Sequence, residues 1–289
     1  MDICASVVSN DGARACVLNQ GFADTNVRST PSMPQYSTVS REGIFTIVTL
    51  NRPEALNAMH PPGNLELAGI FDEFEADAEQ WVAIVTGAGR AFSAGLDLKF
   101  TAAAGQLTPV PMGFAGLTSR YEITKPIIAA INGPALGGGF EAALACDVII
   151  AAEDAFFALP EPKVGLAALA GGLLRLPQSI GLHRALGIIL TGRRVSAREG
   201  FELGFVNQVV AADELISTAR HWASLIAECS PLAVRASKQV VRHGLGKPIN
   251  GELEKVRQLA AVQAMLTSKD AIEGPLAFAQ KRRPVWQGR

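Results

Sequence analysis

The chain has 289 residues, 48% of them hydrophobic, and a formal net charge of −1. That is enough apolar material for one or two folded domains, and the near-neutral balance gives no basis for a nucleic-acid groove or a charged membrane surface. No apolar run approaches the roughly 18 residues of a membrane-spanning helix. Cys4, Cys16, Cys146 and Cys229 have no paired spacing and read as free thiols in a reducing, cytoplasmic compartment. His60, His183, His221 and His243 form no two-ligand motif, so no metal is expected.

Residues 1–40 are polar and irregular, with Asp2, Asp11 and Asp24 among Arg14 and Arg28. They lack the apolar centre of a signal peptide and are too acidic for a transit peptide. They read as a disordered extension, with Met33 as the natural start. Ile44–Leu50 reads as a strand closed by Asn51-Arg52-Pro53. Leu65, Ile70, Phe71 and Phe74 recur near helical period and predict a helix over 65–78. Trp81–Val85 is the next strand, ending at Gly87-Ala88-Gly89; Pro126–Ile131 and Asp147–Ala151 follow. Apolar strands separated by helices predict a mainly parallel α/β sheet covered on both faces. Gly105–Gly116, rich in Gly, Ala and Pro, reads as a mobile surface loop beside the pocket that sets substrate size.

After Ser196 the texture turns helical. Ser196-Ala197-Arg198-Glu199 is a capping box and Gly204 ends its helix. Asp213 is placed to cap a helix to about Glu228, and Ser230-Pro231 to start one ending near Gly244. A longer helix is expected over 252–266 and a last one before Lys281-Arg282-Arg283. The domain reading is therefore an extension (1–40), a core (41–228) and a helical assembly region (229–289).

Two carboxylates stand out. Glu141 follows Gly137-Gly138-Gly139-Phe140, and Glu161 lies twenty residues on, in Leu159-Pro160-Glu161-Pro162. Each follows an apolar run and a turn, which places it at the mouth of a sheet. The glycines bring bare N–H groups to a helix start, where they lack intrahelical partners and the dipole adds about half a positive charge. Ala91-Phe92-Ser93-Ala94-Gly95-Leu96-Asp97-Leu98 offers a second N–H, that of Leu96. Two such donors from separate strand ends make an oxyanion hole. Taken alone, the glycine run reads equally well as tight helix–sheet packing, and each glutamate as a solvated charge or cap. Asp97 reads as a capping carboxylate. The motif Thr86-Gly87-Ala88-Gly89 with Tyr121 and Lys125 has a dehydrogenase look, but Ala91-Phe92 break the glycine fingerprint and Lys125-Pro126 opens a strand. Gly137-Gly138-Gly139 lacks the Lys-Ser/Thr of a nucleotide phosphate loop.

These segments resemble the enoyl-CoA hydratase/isomerase (crotonase) superfamily. Matching stretches are Leu50–Ala58, Ala91–Leu98, Lys125–Gly139, Cys146-Asp147, Leu190–Arg193, Gly204–Asn207 and Glu273–Lys281, in order, over about residues 40–289. The resemblance implies the crotonase (ClpP/crotonase-like) fold of repeated strand-strand-helix units with a C-terminal helical region. It implies an acyl-CoA substrate and no separate cofactor. It puts the thioester oxygen on Leu96 and Gly138, and catalysis on Glu141 and Glu161, whose joint presence favours hydration of a 2-enoyl-CoA. It adds Ala55, Leu56, Asn57, Ala94, Asp97, Phe278 and Lys281 as substrate-binding residues, the last two reaching coenzyme A from a neighbour in a homotrimer or hexamer. The tail Lys281-Arg282-Arg283 reads equally as solvated charge. Isomerase, hydrolase, decarboxylase and lyase chemistry, and a non-catalytic binding homologue, are the alternatives. Two departures bear on the acyl group: the apolar Gly165–Gly172 run, and His60-Pro61-Pro62, which interrupts the expected start of the helix after Asn57. The intact mass of the natural protein is expected to match a chain beginning at Met33; the mass of all 289 residues would contradict that start.

Overall fold

Strands form where β-branched and apolar residues run uninterrupted. The computed structural model, which describes residues 34–105, 112–247, 249 and 251–289, contains nine of them. Six build the main sheet in the order β1 (Ser37–Glu42), β2 (Phe45–Leu50), β3 (Val82–Gly87), β4 (Ile127–Ile131), β6 (Val148–Ala152) and β9 (Gln208–Val210). From β2 to β9 every pairing is parallel, and β4 is buried at every residue, as a sheet covered on both faces requires. The exception is β1, which pairs antiparallel with β2 from Ser37 to Glu42. The ordered unit therefore begins before residue 41, and the expected extension is too long by at least the four residues 37–40. Residues 1–33, with the Met33 start, lie outside the described residues. A second sheet joins β5 (Ala135–Leu136), β7 (Phe156–Ala158) and β8 (Val195–Ser196).

The helices are α1 (Pro61–Ala76), α2 (Leu98–Ala104), α3 (Gly138–Ala145), α4 (Gly172–Ile180), α5 (Leu182–Thr191), α6 (Ala197–Leu203), α7 (Leu215–Ala227), α8 (Pro231–Gly244), α9 (Glu252–Val256), α10 (Ala260–Leu266) and α11 (Asp270–Ala279). Ala219 and Ala223, one turn apart and fully buried, let α7 lie close on β3, β4 and β6. None of the described helices is long and apolar enough to cross a membrane. Among the described residues no His, Cys, Asp and Glu cluster suits a metal ion. Cys146 and Cys229 are free thiols.

Several local expectations change. His60-Pro61-Pro62 does not interrupt α1 but starts it: the His60 ring accepts from Gly63 N, and the prolines occupy first-turn positions whose missing N–H costs nothing. Ser196 caps α6 through Glu199 N, but the Glu199 carboxylate pairs with Arg193 instead of closing the box. Asp213 lies in a 3-10 turn and does not cap α7. The helix expected over 252–266 breaks between α9 and α10. Of the loop expected over 105–116, residues 106–111 lie outside the described residues. Phe114, Ala115 and Gly116 form a buried turn against α1, so this end of the segment is core.

Lys125 shows how the sheet is tied to α1. Its side chain is 1% exposed, and Nζ donates to the carbonyls of Phe74 and Asp77, capping the end of α1. Burial pushes its pKa down to about 8. Lys125→Met removes both bonds and leaves Phe74 O unpaired, Asp77 O keeping its bond from Gln80 N, and is expected to lower unfolding free energy by about 1–3 kcal/mol in urea titrations; a change within a few tenths would contradict the capping role.

Candidate active site

Two loops leave the carboxyl ends of β3 and β4 and meet backbone to backbone. The Asn57 side chain fastens the first: Oδ1 accepts from Arg52 N, and Nδ2 donates to the carbonyls of Ala88 and Ala91. Ser93 N donates to Pro134 O at 3.1 Å, and Leu136 N returns a bond to Ser93 O at 2.9 Å. At Gly95, φ is +84°, and a Cβ there would fall 2.5 Å from Leu136 O and 3.1 Å from Gly138 N. Only glycine allows this conformation and this approach. The Gly95–Leu96 peptide is thereby set beside the start of α3.

Both donors at this junction are unspent. Leu96 bridges to Met59, but the bonds run from Met59 N to Gly95 O and from Asp97 N to Met59 O. In a parallel bridge that pattern leaves Leu96 N on the opposite side. Gly138 N is in the first turn of α3, where no intrahelical acceptor exists. Among the described residues neither N–H has a protein acceptor. The site thus holds two free backbone donors from separate strand ends, with a helix N-terminus behind one of them.

Glu141 lies on the helix that the glycine run opens, and Glu161 lies against Gly137 of that run. Glu141 sits in the first turn of α3, is 3% exposed, and its Oε1 accepts from Gly172 N at 2.8 Å. Burial pushes its pKa up to about 7; the Glu161 charge adds to the rise, while the Gly172 N–H and the Arg175 charge oppose it. Glu161 opens a 3-10 turn after β7. Gly137 N donates to Ala158 O, which docks that turn on the glycine run, and Glu161 Oε1 lies 2.7 Å from where a Cβ on Gly137 would stand. Its Oε2 is buried with no hydrogen-bond partner among the described residues. Burial raises its pKa as well. Two carboxyls that both favour the proton, one with an unused oxygen, are equipped to exchange protons with something bound between them.

The other expected site residues divide. Ala55 ends a short 3-10 turn, and Leu56 and Asn57 both have positive φ. The Asn57 side chain, expected to bind substrate, is spent on the three bonds above, so only backbone remains there for a ligand. Ala94 N is likewise used, by Leu56 O. The Asp97 carboxylate caps α2 through Phe100 N and pairs with Arg52 at 3.1 Å. It is the capping residue expected, and both of its oxygens are engaged within the protein. Phe278, 87% exposed, is in the last turn of α11, and Lys281 follows that helix.

Sequence reasoning missed Phe114 and its supports. A Cβ on Gly138 would fall 2.6 Å from the Phe114 ring, so that ring walls the site. Asn64 Oδ1 accepts from Ala115 N at 2.7 Å and Thr118 Oγ1 accepts from Phe114 N at 2.7 Å. The only signal was glycine: Gly113 and Gly116 take positive φ. A cavity of about 750 Å³ lies elsewhere, between α4 and α8, and neither glutamate lines it.

Glu141 has a raised folded pKa, so the fold holds its proton more tightly than the unfolded chain does. That contribution is present below about pH 4.5 and is lost as pH rises through 7. Glu141→Gln is therefore expected to gain stability over wild type between pH 4.5 and 7, reaching about 3 kcal/mol above 7. Urea midpoints across pH check this; a gain independent of pH would contradict the shift.

Comparisons with known proteins show the family and the fold. A profile of the enoyl-CoA hydratase/isomerase family matches residues 40–289. Carnitinyl-CoA dehydratase of Escherichia coli K12 is 44% identical over 257 residues, 87% of this chain and 98% of that protein. The enoyl-CoA hydratase of Mycobacterium tuberculosis H37Rv superposes with a TM-score of 0.82 at 40% identity, over 88% of this chain and 99% of its own. That of Bacillus anthracis gives 0.82 at 37% identity, over 88% and 100%.

Proposed function

The chain belongs to the enoyl-CoA hydratase/isomerase family, and on that premise we propose that it adds water reversibly to a 2-enoyl-CoA to give a 3-hydroxyacyl-CoA. One observation supports the reading: two carboxyls with raised proton affinity, Glu141 buried and Glu161 half-buried, lie on the helix opened by the glycine run and against Gly137 of that run, whose Gly138 N–H is unspent, as is that of Leu96. The thioester oxygen accepts from both N–H groups. That draws charge from the conjugated chain and makes its β-carbon electrophilic. Glu141 takes a proton from a water attacking that carbon, and Glu161 gives one to the α-carbon as the enolate collapses. The reverse sequence removes water. A carboxyl near pKa 7 is about half protonated at neutral pH, which suits a group that must serve in both directions.

Coenzyme A lies in this reading along the Ala55–Asn57 backbone, with Phe278 and Lys281 supplied by a neighbour in a trimer or a hexamer. The exposure of Phe278 fits a side chain meant for another subunit. A second reading concerns substrate alone: the 44% identity to carnitinyl-CoA dehydratase favours an acyl chain bearing the quaternary ammonium of carnitine. The chemistry at the glutamates is unchanged.

The test follows the absorbance of the conjugated thioester with crotonyl-CoA, longer enoyl-CoAs and the dehydration product of carnitinyl-CoA. Wild type is expected to bleach the band and form the 3-hydroxy product, with kcat falling about 10²–10⁴-fold in Glu141→Gln and in Glu161→Gln. The thioester turned over fastest decides between the two substrate readings. No turnover of any of them by a folded wild type would contradict hydration and move the assignment to another thioester reaction.

A further inference from the structure

Arg175 takes no part in the chemistry just proposed, yet it touches both walls of the site. It lies in the first turn of α4, next to the Gly171-Gly172 pair whose second N–H holds Glu141. Gly171 has φ +109°, and a Cβ there would fall 2.0 Å from Arg175 Nη1, so the guanidinium rests directly on that turn. Nη1 donates to Ala170 O at 3.4 Å. On its other side Nη2 donates to Thr118 O at 2.7 Å, and the guanidinium lies 5.6 Å over the Tyr121 ring. Thr118 is the residue whose hydroxyl holds Phe114 N, and Phe114 is the ring against Gly138.

The cation is also electrostatically unusual. Nearby Arg120 pairs with Asp72 and Glu122, and Lys238 and Arg242 share Asp147 across the groove between α4 and α8. Arg175 lines the same groove, but among the described residues no carboxylate comes within ion-pair distance of it. Carbonyls satisfy its donors without cancelling its charge. Glu161 and Arg175 are the charged side chains that bear on Glu141, with opposite signs.

We propose that Arg175 is a positioning residue: it braces the Ala170–Gly172 turn that aims Glu141, couples that turn to the Phe114 wall, and places an uncancelled positive charge behind the turn that holds Glu141. The inference rests on the role given to Glu141 above. Lysine retains the charge but not the fork that reaches Ala170 and Thr118 together, so the two functions separate by substitution.

The experiment compares Arg175→Gln and Arg175→Lys with wild type and Glu141→Gln. Carboxyl ¹³C resonances of glutamate-labelled protein are titrated, the signal absent from Glu141→Gln being assigned to Glu141. This reads the proton without turnover. Arg175→Gln is expected to raise the midpoint by about half a unit to one unit, that is, three- to tenfold in proton affinity. Arg175→Lys should leave it within about 0.3 unit. Both should lower kcat about 10–100-fold with KM changed less than about threefold, as misplacement of a reacting group does. A folded Arg175→Gln with an unchanged midpoint overturns the proposal, even if its melting temperature falls, because a plain brace would do that alone. Should Arg175→Gln not fold, Arg175→Lys decides: wild-type kcat overturns the proposal, and a fall in kcat at an unmoved midpoint supports it. Full turnover by Glu141→Gln would instead overturn the reading of Glu141, and the midpoint comparison would still report on the contact between the two residues.

Discussion

Main chain lies against main chain between Ser93–Leu96 and Leu136–Gly139, and the site depends on that approach. It requires glycine at 95, where both a positive φ and a 2.5 Å clearance forbid a side chain. The hydrogen bonds that hold it are those of Ser93 with Pro134 and Leu136, backed by the Asn57 amide. Its consequence is chemical. Among the described residues, two N–H groups from different strand ends, those of Leu96 and Gly138, have no protein acceptor. Such preorganised donors stabilise developing charge without reorganising, which is why they contribute more in a buried site than in water.

Burial then does the second half of the work. Withdrawing Glu141 and Glu161 from water raises the proton affinity of both, so the site holds its exchangeable protons near neutral pH. The same burial costs stability in the neutral range, the usual relation between a reactive site and the fold that supports it. Partial compensation comes from the Gly172 N–H and from Arg175, both on α4, so the helix after Glu161 restrains the helix before it. Fold and chemistry are thus joined at α3 and α4.

Much of this was legible in the residues. The inner strands are short apolar runs, and all of the expected ones appear within two residues of their place. The glycine run opens a helix, α3, as its sequence suggested. What was hidden shares a physical cause: its structure is fixed by partners distant in sequence. The strand Ser37–Glu42 is exposed at every residue but Ser37, with no apolar face to announce it, and pairs along the edge of β2. His60-Pro61-Pro62 looked like an interruption because a histidine cap is uncommon, yet its ring reaches Gly63 N. Phe114 lay in a stretch whose composition reads as loop; Asn64 and Thr118, from elsewhere in the chain or four residues on, hold it in the core. Asn57 and Asp97 resemble ligand-binding residues by family pattern, whereas their side chains are spent on holding the loops. The pattern marks where the site is, and only the bonds tell which atoms are left for a ligand.

The central claim is that Leu96 N–H and Gly138 N–H together polarise a bound thioester. The most direct measurement is the carbonyl stretching frequency of an enoyl-CoA, ¹³C-labelled at C1, bound to Glu141→Gln so that it does not turn over. The account predicts a clear shift to lower frequency relative to free thioester in water, together with a red shift of the conjugated band. A bound thioester whose carbonyl frequency is unchanged from water would contradict it.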